Sequence, residues 1–279
     1  MDSPSIEVRP VSAALGAEIL GVDLSRPLPD SAIAEIRELL LRYIVVFFRD
    51  QDLTPDQHVA FARRFGELAN YPFVEGMEGH PEIVEVVKKE DETINFGGLW
   101  HTDGSYLEEP PLGSVLYARE VPPVGGDTLF ANMYLAYDAL AVATRERLQG
   151  LRAINTAEKP EAAITRTHRI EERPGRGGHR SLQASHPIVR AHPETGRRAL
   201  YCSDAHTTAI EGMPDIDSGP LLQSLYEVQQ RPEHCCRFQW SVGSLAFWDN
   251  RASQHNALND YQGHRRVMHR VTIAGDRPH

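Results

Sequence analysis

The chain has 279 residues, a net charge of -10, and hydrophobic and charged fractions of 41% and 24%, which exclude a fibrous or wholly disordered protein. The acidic balance disfavours a general nucleic-acid binder, because a polyanion would be repelled over most of the surface. Residues 1–6 are neither basic nor continuously apolar, and the longest apolar run, Tyr43 to Phe48, falls far short of the ~20 residues that span a bilayer, so a cytoplasmic protein without membrane segments is expected.

No repeat or linker breaks the chain, and its length suits one β-rich domain over residues 1–279. Ile33, Ile36, Leu39 and Leu40 recur at helical spacing after Pro29-Asp30, predicting an amphipathic helix over 31–42 with Asp30 as its N-cap. The β-branched and aromatic run Tyr43 to Phe48 predicts a buried strand. Thr54-Pro-Asp-Gln57 has the form of a capping box with proline at the first helical position, and opens a helix over 55–65 that ends at Gly66.

From residue 83 the texture changes to short β segments, at 83–88, 99–103, 114–120, 128–131, 187–192, 198–202, 235–240, 244–248 and 267–273. Short strands divided by Gly, Pro and Asn turns predict a mainly β protein, a sandwich or barrel, with flanking helices and helical interruptions at 134–149 and 220–229. The stretch 158–183 is rich in Arg, Glu, Gly and His without hydrophobic period, and predicts a mobile loop, either a solvated insertion or a lid. Cys202, Cys235 and Cys236 form neither a disulfide framework nor a CxxC metal spacing.

In Gly97-Gly-Leu-Trp-His101-Thr-Asp103-Gly104, a strand would project His101 and Asp103 from one face, so that an imidazole and a carboxylate reach one cation together. Among 13 histidines and 39 acidic residues such a triplet also arises by chance, so it gains weight only from a third ligand. The stretch Ser244-Leu-Ala-Phe-Trp-Asp-Asn-Arg-Ala-Ser-Gln-His255 supplies one, as an apolar strand ending in a polar turn with histidine at its rim. Two histidines and one carboxylate occupy one face of an octahedral iron(II), leaving positions for a chelating oxoacid and for oxygen. For His206, His234, His264 and His269 an ordinary polar role is the simpler reading, while His168, His179 and His192 lie in or near the loop and are expected to be solvated.

Arg266 follows His255 across the turn-like stretch 259–263 and is expected on the adjoining strand, facing the same pocket. Its planar fork suits a carboxylate, each charge-assisted hydrogen bond being worth about 1.5–3 kcal/mol. Period-two alternation puts Arg266, Met268 and Arg270 on one face, so two inward arginines would meet two anions, the oxoacid and an acidic substrate. A surface or salt-bridged Arg270 is the bland alternative. Thr128, after the turn Pro122-Pro-Val-Gly-Gly-Asp127, could donate its hydroxyl to a bound carboxylate.

The stretches Trp100-His-Thr-Asp103, Pro122-Pro-Val-Gly-Gly-Asp-Thr128, Phe247-Trp-Asp-Asn-Arg-Ala-Ser-Gln-His255 and Arg265-Arg-Val-Met-His-Arg270 resemble, in this order, the family of taurine dioxygenase and 2,4-dichlorophenoxyacetate dioxygenase, iron enzymes that use 2-oxoglutarate. The resemblance implies a double-stranded β-helix, or jelly roll, with flanking helices. It implies Fe(II) on His101, Asp103 and His255, 2-oxoglutarate on Thr128 and Arg266, O2 as the second cosubstrate, and Arg270 where the family meets the substrate's anionic group. Tyr71, Asn95 and His206 are taken as further substrate contacts. Ala69-Asn-Tyr-Pro72 replaces a histidine of the taurine enzymes, and His206 an aromatic residue, which argues against taurine itself and for a more polar pocket.

The activity expected is hydroxylation of a small anionic organic molecule, a sulfonate, sulfate ester, aryloxy or other carboxylic acid, giving succinate and CO2 and releasing a substituent where the oxidised carbon bears one. A carboxylate at Asp103 leaves no position for a halide and argues against halogenation. A zinc-dependent hydrolase on the same triad and a non-catalytic jelly-roll binding protein are the rival readings. A homo-oligomer, dimer or tetramer, follows from the resemblance.

Overall fold

The computed structural model describes residues 5–172 and 182–279. At its start β1 (Glu7–Pro10) and β2 (Ala17–Leu20) form an antiparallel pair, and α1 (Asp30–Tyr43) buries Ala32, Ile33, Ile36 and Leu40 as one helical stripe. Its N-cap is Pro29 rather than Asp30, whose carboxylate sits in the first turn and pairs with Arg64. The following strand, β3 (Val45–Phe48), begins two residues later than expected, because Tyr43 completes the helix and Ile44 redirects the chain at φ 69°. α2 (Pro55–Arg63) opens with the expected capping box between Thr54 and Gln57.

Next come β4 (Leu68–Ala69), β5 (Ile83–Lys88), β6 (Gly113–Glu120) and β7 (Thr128–Asn132). Where one helix was expected over 134–149 there are two, α3 (Met133–Asp138) and α4 (Val142–Arg147). β8 (Arg152–Thr156) precedes α5 (Pro160–Glu172), which occupies much of the stretch expected to be a loop. Ala162, Arg166 and Ile170 are buried at i, i+4, i+8 spacing, and because the middle member is an arginine the sequence shows no hydrophobic period there. The rest of the loop expectation, residues 173–181, lies outside the described residues.

The chain continues through β9 (Gln183–Pro187), β10 (Val189–Ala191), β11 (Arg198–Leu200) and β12 (Thr207–Ile210) to α6 (Asp215–Gln229). This helix starts upstream of Pro220, since Asp215 and Asp217 supply the acidic first turn. β13 (Cys235–Phe238), β14 (Leu245–Asp249), β15 (Ser253–Ala257) and β16 (Arg266–Ile273) end the fold.

The main sheet runs β1-β2-β3-β14-β6-β16-β4, with β5 also paired to β16, and the sheet β13-β7-β15 faces it. The two close as a double-stranded β-helix. In β3 and β14 the period-two alternation divides residues between two cores. Val45, Phe47, Ala246 and Trp248 pack between the sheets, where Phe47 stacks on Phe238 at 3.9 Å; Val46, Phe48, Leu245 and Phe247 pack against α1 and α2 on the outer side. Full burial of each of the Val, Leu and Phe side chains contributes about 1.5–3 kcal/mol. Of these strands covered on both faces, β16 carries Arg266 and Arg270 and β14 contributes Trp248 to the interior.

Candidate active site

His255 lies on β15, and its backbone bonds that of His101 in both directions, at 2.9 and 3.1 Å. This isolated bridge replaces the strand expected over 99–103. Beyond it the Thr102 hydroxyl donates to Ser253 O at 2.9 Å, so a turn rather than strand pleating carries Asp103 back beside the histidines. One ligand atom from each of His101, Asp103 and His255 lies within 4.8 Å of the others. Asp103 Oδ1 is 3.7 Å from His101 Nε2 and 4.0 Å from His255 Nε2.

Surrounding groups fix these orientations. His101 Nδ1 is 2.7 Å from Leu99 O, an acceptor, so Nδ1 carries the proton and Nε2 keeps its lone pair toward the cluster. Ser114 donates to Asp103 Oδ2 at 2.7 Å, and Arg270 Nη1 donates to Oδ1 at 3.2 Å. Gly97 adopts φ 77°, and a Cβ there would meet His101 Cε1 at 3.2 Å. Burial would raise the Asp103 carboxyl, but Arg270, His255 and His101 outweigh it and hold it well below the usual carboxylate range. Burial, then His101, lowers His255 to about 3. An ionised carboxylate beside a neutral imidazole is the protonation state a divalent cation requires.

Two chambers of about 400 and 420 Å³ open on the cluster and share Phe96, Gly97, His101 and Arg270. The second contains His255, Thr128 and Arg266. Arg266 does not adjoin β15 in one sheet as expected: β15 pairs with β7, while β16 belongs to the opposite sheet, so the arginine reaches the chamber across the sandwich. Its Nε and Nη2 are buried without a hydrogen-bond partner, and burial pushes its pKa down. Thr128 Oγ1 accepts from Trp240 Nε1 at 2.9 Å, which keeps its own proton for donation. Idle buried donors of this kind fit an anionic ligand that brings its own carboxylate, and the His-Asp-His donor set beside them fits iron(II) with a chelating oxoacid.

The first chamber holds Tyr71 and His206. The Arg270 guanidinium lies 4.9 Å over the Tyr71 ring and 5.5 Å over that of Phe96. His206 Nδ1 is 3.1 Å from Ser105 Oγ, and burial followed by His101 and Arg166 holds the imidazole well below its ordinary pKa. Asn95 lines neither chamber; its amide donates to Ala257 O at 2.8 Å and ties the segment before His101 to β15.

Three contributors escape sequence reasoning. Ser114 and Trp240 are ordinary strand-region residues until their partners are known, and Arg166 arrives on a helix the sequence did not announce. His192, expected to be solvated, is buried with Nε2 3.0 Å from Asp249 Oδ2, while His179 and the side chain of His168 lie outside the described residues.

Residues 7–272 match the model of the family described as "Taurine catabolism dioxygenase TauD, TfdA family". The chain is 34% identical to the alpha-ketoglutarate-dependent sulfate ester dioxygenase of Pseudomonas putida, over 98% of this chain and 91% of that protein. It is 32% identical to the alpha-ketoglutarate-dependent 2,4-dichlorophenoxyacetate dioxygenase of Cupriavidus pinatubonensis, over 98% and 99% of the two chains. The crystal structure of a taurine dioxygenase from Burkholderia xenovorans, 40% identical, superposes with a TM-score of 0.84 over 99% of this chain and 93% of that one. These likenesses set aside the zinc-hydrolase and binding-protein readings, alpha-ketoglutarate being 2-oxoglutarate. The chain belongs to the TauD/TfdA family of 2-oxoglutarate-dependent dioxygenases, for which the family implies iron(II) at the His-Asp-His cluster.

Proposed function

We propose that this dioxygenase hydroxylates a small organic anion, a sulfonate, sulfate ester, aryloxy acid or other carboxylic acid, and releases the substituent when the oxidised carbon bears it. One observation carries this reading: a single His-Asp-His cluster opens on two chambers, with Arg266 in one and Arg270 bordering both. The relatives named for sulfate ester and 2,4-dichlorophenoxyacetate oxidation support the substrate class.

In this reading His101, Asp103 and His255 hold iron(II), which with bound 2-oxoglutarate and O2 supplies the oxidising chemistry and yields succinate and CO2. Ser114 keeps Asp103 turned so that Oδ1 faces the histidines. Arg266 and Thr128 grip the oxoacid's distal carboxylate, using buried donors that no protein group satisfies. Arg270 meets the substrate's anionic group, while Tyr71 and His206 wall the chamber and keep water from the oxidised carbon. Asn95 serves the same chamber indirectly, by fastening the segment through Gly97.

The chain acts as a single domain over residues 1–279, as a homo-oligomer, dimer or tetramer, and in the cytoplasm. All three cysteines are free thiols, and no described helix is long and apolar enough to cross a membrane. Anaerobic titration of iron(II) and 2-oxoglutarate tests the core of the proposal. The weak visible absorption of an iron-chelated oxoacid should appear in the native protein and be absent in His255→Ala; equal absorption in both would refute the ligand assignment. Oxygen uptake with sulfonates, sulfate esters, aryloxy acids and other carboxylates then identifies the substrate.

A further inference from the structure

Arg166 projects from α5 into the first chamber while only 6% exposed, and no carboxylate among the described residues pairs with it. Its guanidinium lies 4.4 Å over the Phe73 ring and 5.9 Å from that of Tyr106. Those rings continue a row that begins under the other cation. Phe96 meets Tyr71 at 6.0 Å, Tyr71 meets Phe73 at 5.6 Å, and Phe73 meets Tyr106 at 5.7 Å. Arg270 covers the Phe96–Tyr71 end and Arg166 the Phe73–Tyr106 end.

Charge counting gives the row a meaning. With iron(II) and 2-oxoglutarate in place, Asp103 and the chelating carboxylate offset the metal, and the distal carboxylate offsets Arg266. Arg270 then shares the single charge of Asp103 with the metal, and Arg166 has no carboxylate partner among the described residues. A buried guanidinium is costly without a counter-charge, and the substrate is the component still to enter.

We propose that Arg166 is a specificity-determining residue, and that the substrate carries an anionic group at each end of an apolar body, one end held by Arg270 and the other by Arg166. The aromatic row receives the body between them. This deepens, and rests on, the reading of the first chamber as an anion-substrate site.

The test is calorimetric titration of the anaerobic protein, loaded with iron(II) and 2-oxoglutarate, with straight-chain alkyl sulfates of increasing length and with the same chains ending in a carboxylate. At the chain length that spans the row, the doubly anionic compound should bind roughly tenfold tighter or more than its singly anionic counterpart. Arg166→Met should erase that preference while leaving affinity for 2-oxoglutarate unchanged, which shows the variant is folded, and Arg166→Lys should keep part of it. No preference at any length, or a preference that survives Arg166→Met, overturns the proposal and spares the parent reading. Binding of iron and 2-oxoglutarate with no affinity for either series, nor for sulfonates, aryloxy acids and other carboxylates titrated in the same way, overturns both.

Discussion

Ser114 on β6 donates a 2.7 Å hydrogen bond to Oδ2 of Asp103, and so turns Oδ1 toward His101 and His255. Groups that orient a metal ligand in this way typically change metal affinity by about 10- to 100-fold when removed. Ser114→Ala should therefore weaken iron(II) binding by about that factor, measured by competition with a coloured chelator. Undiminished affinity would mean that the buried position of Asp103 suffices without the hydroxyl.

Arg266 offers two buried donors without partners to the second chamber. Breaking a buried charge pair costs about 3–5 kcal/mol, so Arg266→Ala should weaken 2-oxoglutarate binding by roughly a hundredfold or more. Ligand binding to the folded state alone raises its stability. The native protein with manganese(II) should therefore melt later when 2-oxoglutarate is added, and the variant should not; an equal shift in both would place the carboxylate elsewhere.

Thr128 links Trp240 to the same chamber. If Thr128 donates to the oxoacid as proposed, Thr128→Val removes that donor and strands a buried indole N–H, so the 2-oxoglutarate dissociation constant should rise about tenfold. Thr128→Ser should restore it. Failure of serine to rescue would show that the methyl group's packing, rather than the hydroxyl, matters.

Arg270 contacts Asp103 while lying over Tyr71 and Phe96. Arg270→Ala should raise the apparent KM for the anionic substrate by roughly tenfold or more, with a smaller effect on 2-oxoglutarate. Oxygen-uptake kinetics with an unchanged substrate KM would assign Arg270 to Asp103 alone.

His58, buried beneath β6 with Nε2 3.2 Å from Val115 O, has its pKa lowered to about 3, chiefly by burial. In the unfolded chain a histidine titrates near pH ~6.5. Below that pH the unfolded state takes up a proton that the folded state refuses, so this contribution is complete above pH ~6.5 and is lost as pH falls toward the folded value. Between pH ~6.5 and ~5 the loss is about 2 kcal/mol for this one group. Urea-unfolding midpoints should fall less steeply over that range in His58→Phe; an identical slope would assign the acid sensitivity to other histidines.

The parity of Arg266, Met268 and Arg270 is legible from the sequence because alternation along a strand is a property of neighbouring residues, and β16 obeys it. The capping box at Thr54 and the stripe in α1 are local in the same sense. Arg166 was hidden because a buried arginine in the middle of a helical stripe erases the hydrophobic signal by which such stripes are found. Asp103 illustrates both sides. Its spacing to His101 suggested a shared cation and gained weight only from His255, whereas its placement depends on a turn pinned by Thr102 to Ser253, 151 residues away.

The sequence by itself determined the ligand types, the inward face of β16 and the mainly β texture, since each is encoded in residue identity and short-range period. Only the tertiary structure decided that β15 and β16 approach from opposite sheets, that Ser114 and Trp240 brace Asp103 and Thr128, and that a helix brings Arg166 to the chamber shared with His101 and Asp103. Those relationships come from pairings across large sequence separations, such as the 112 residues between Trp240 and Thr128, and no local pattern in the chain specifies them.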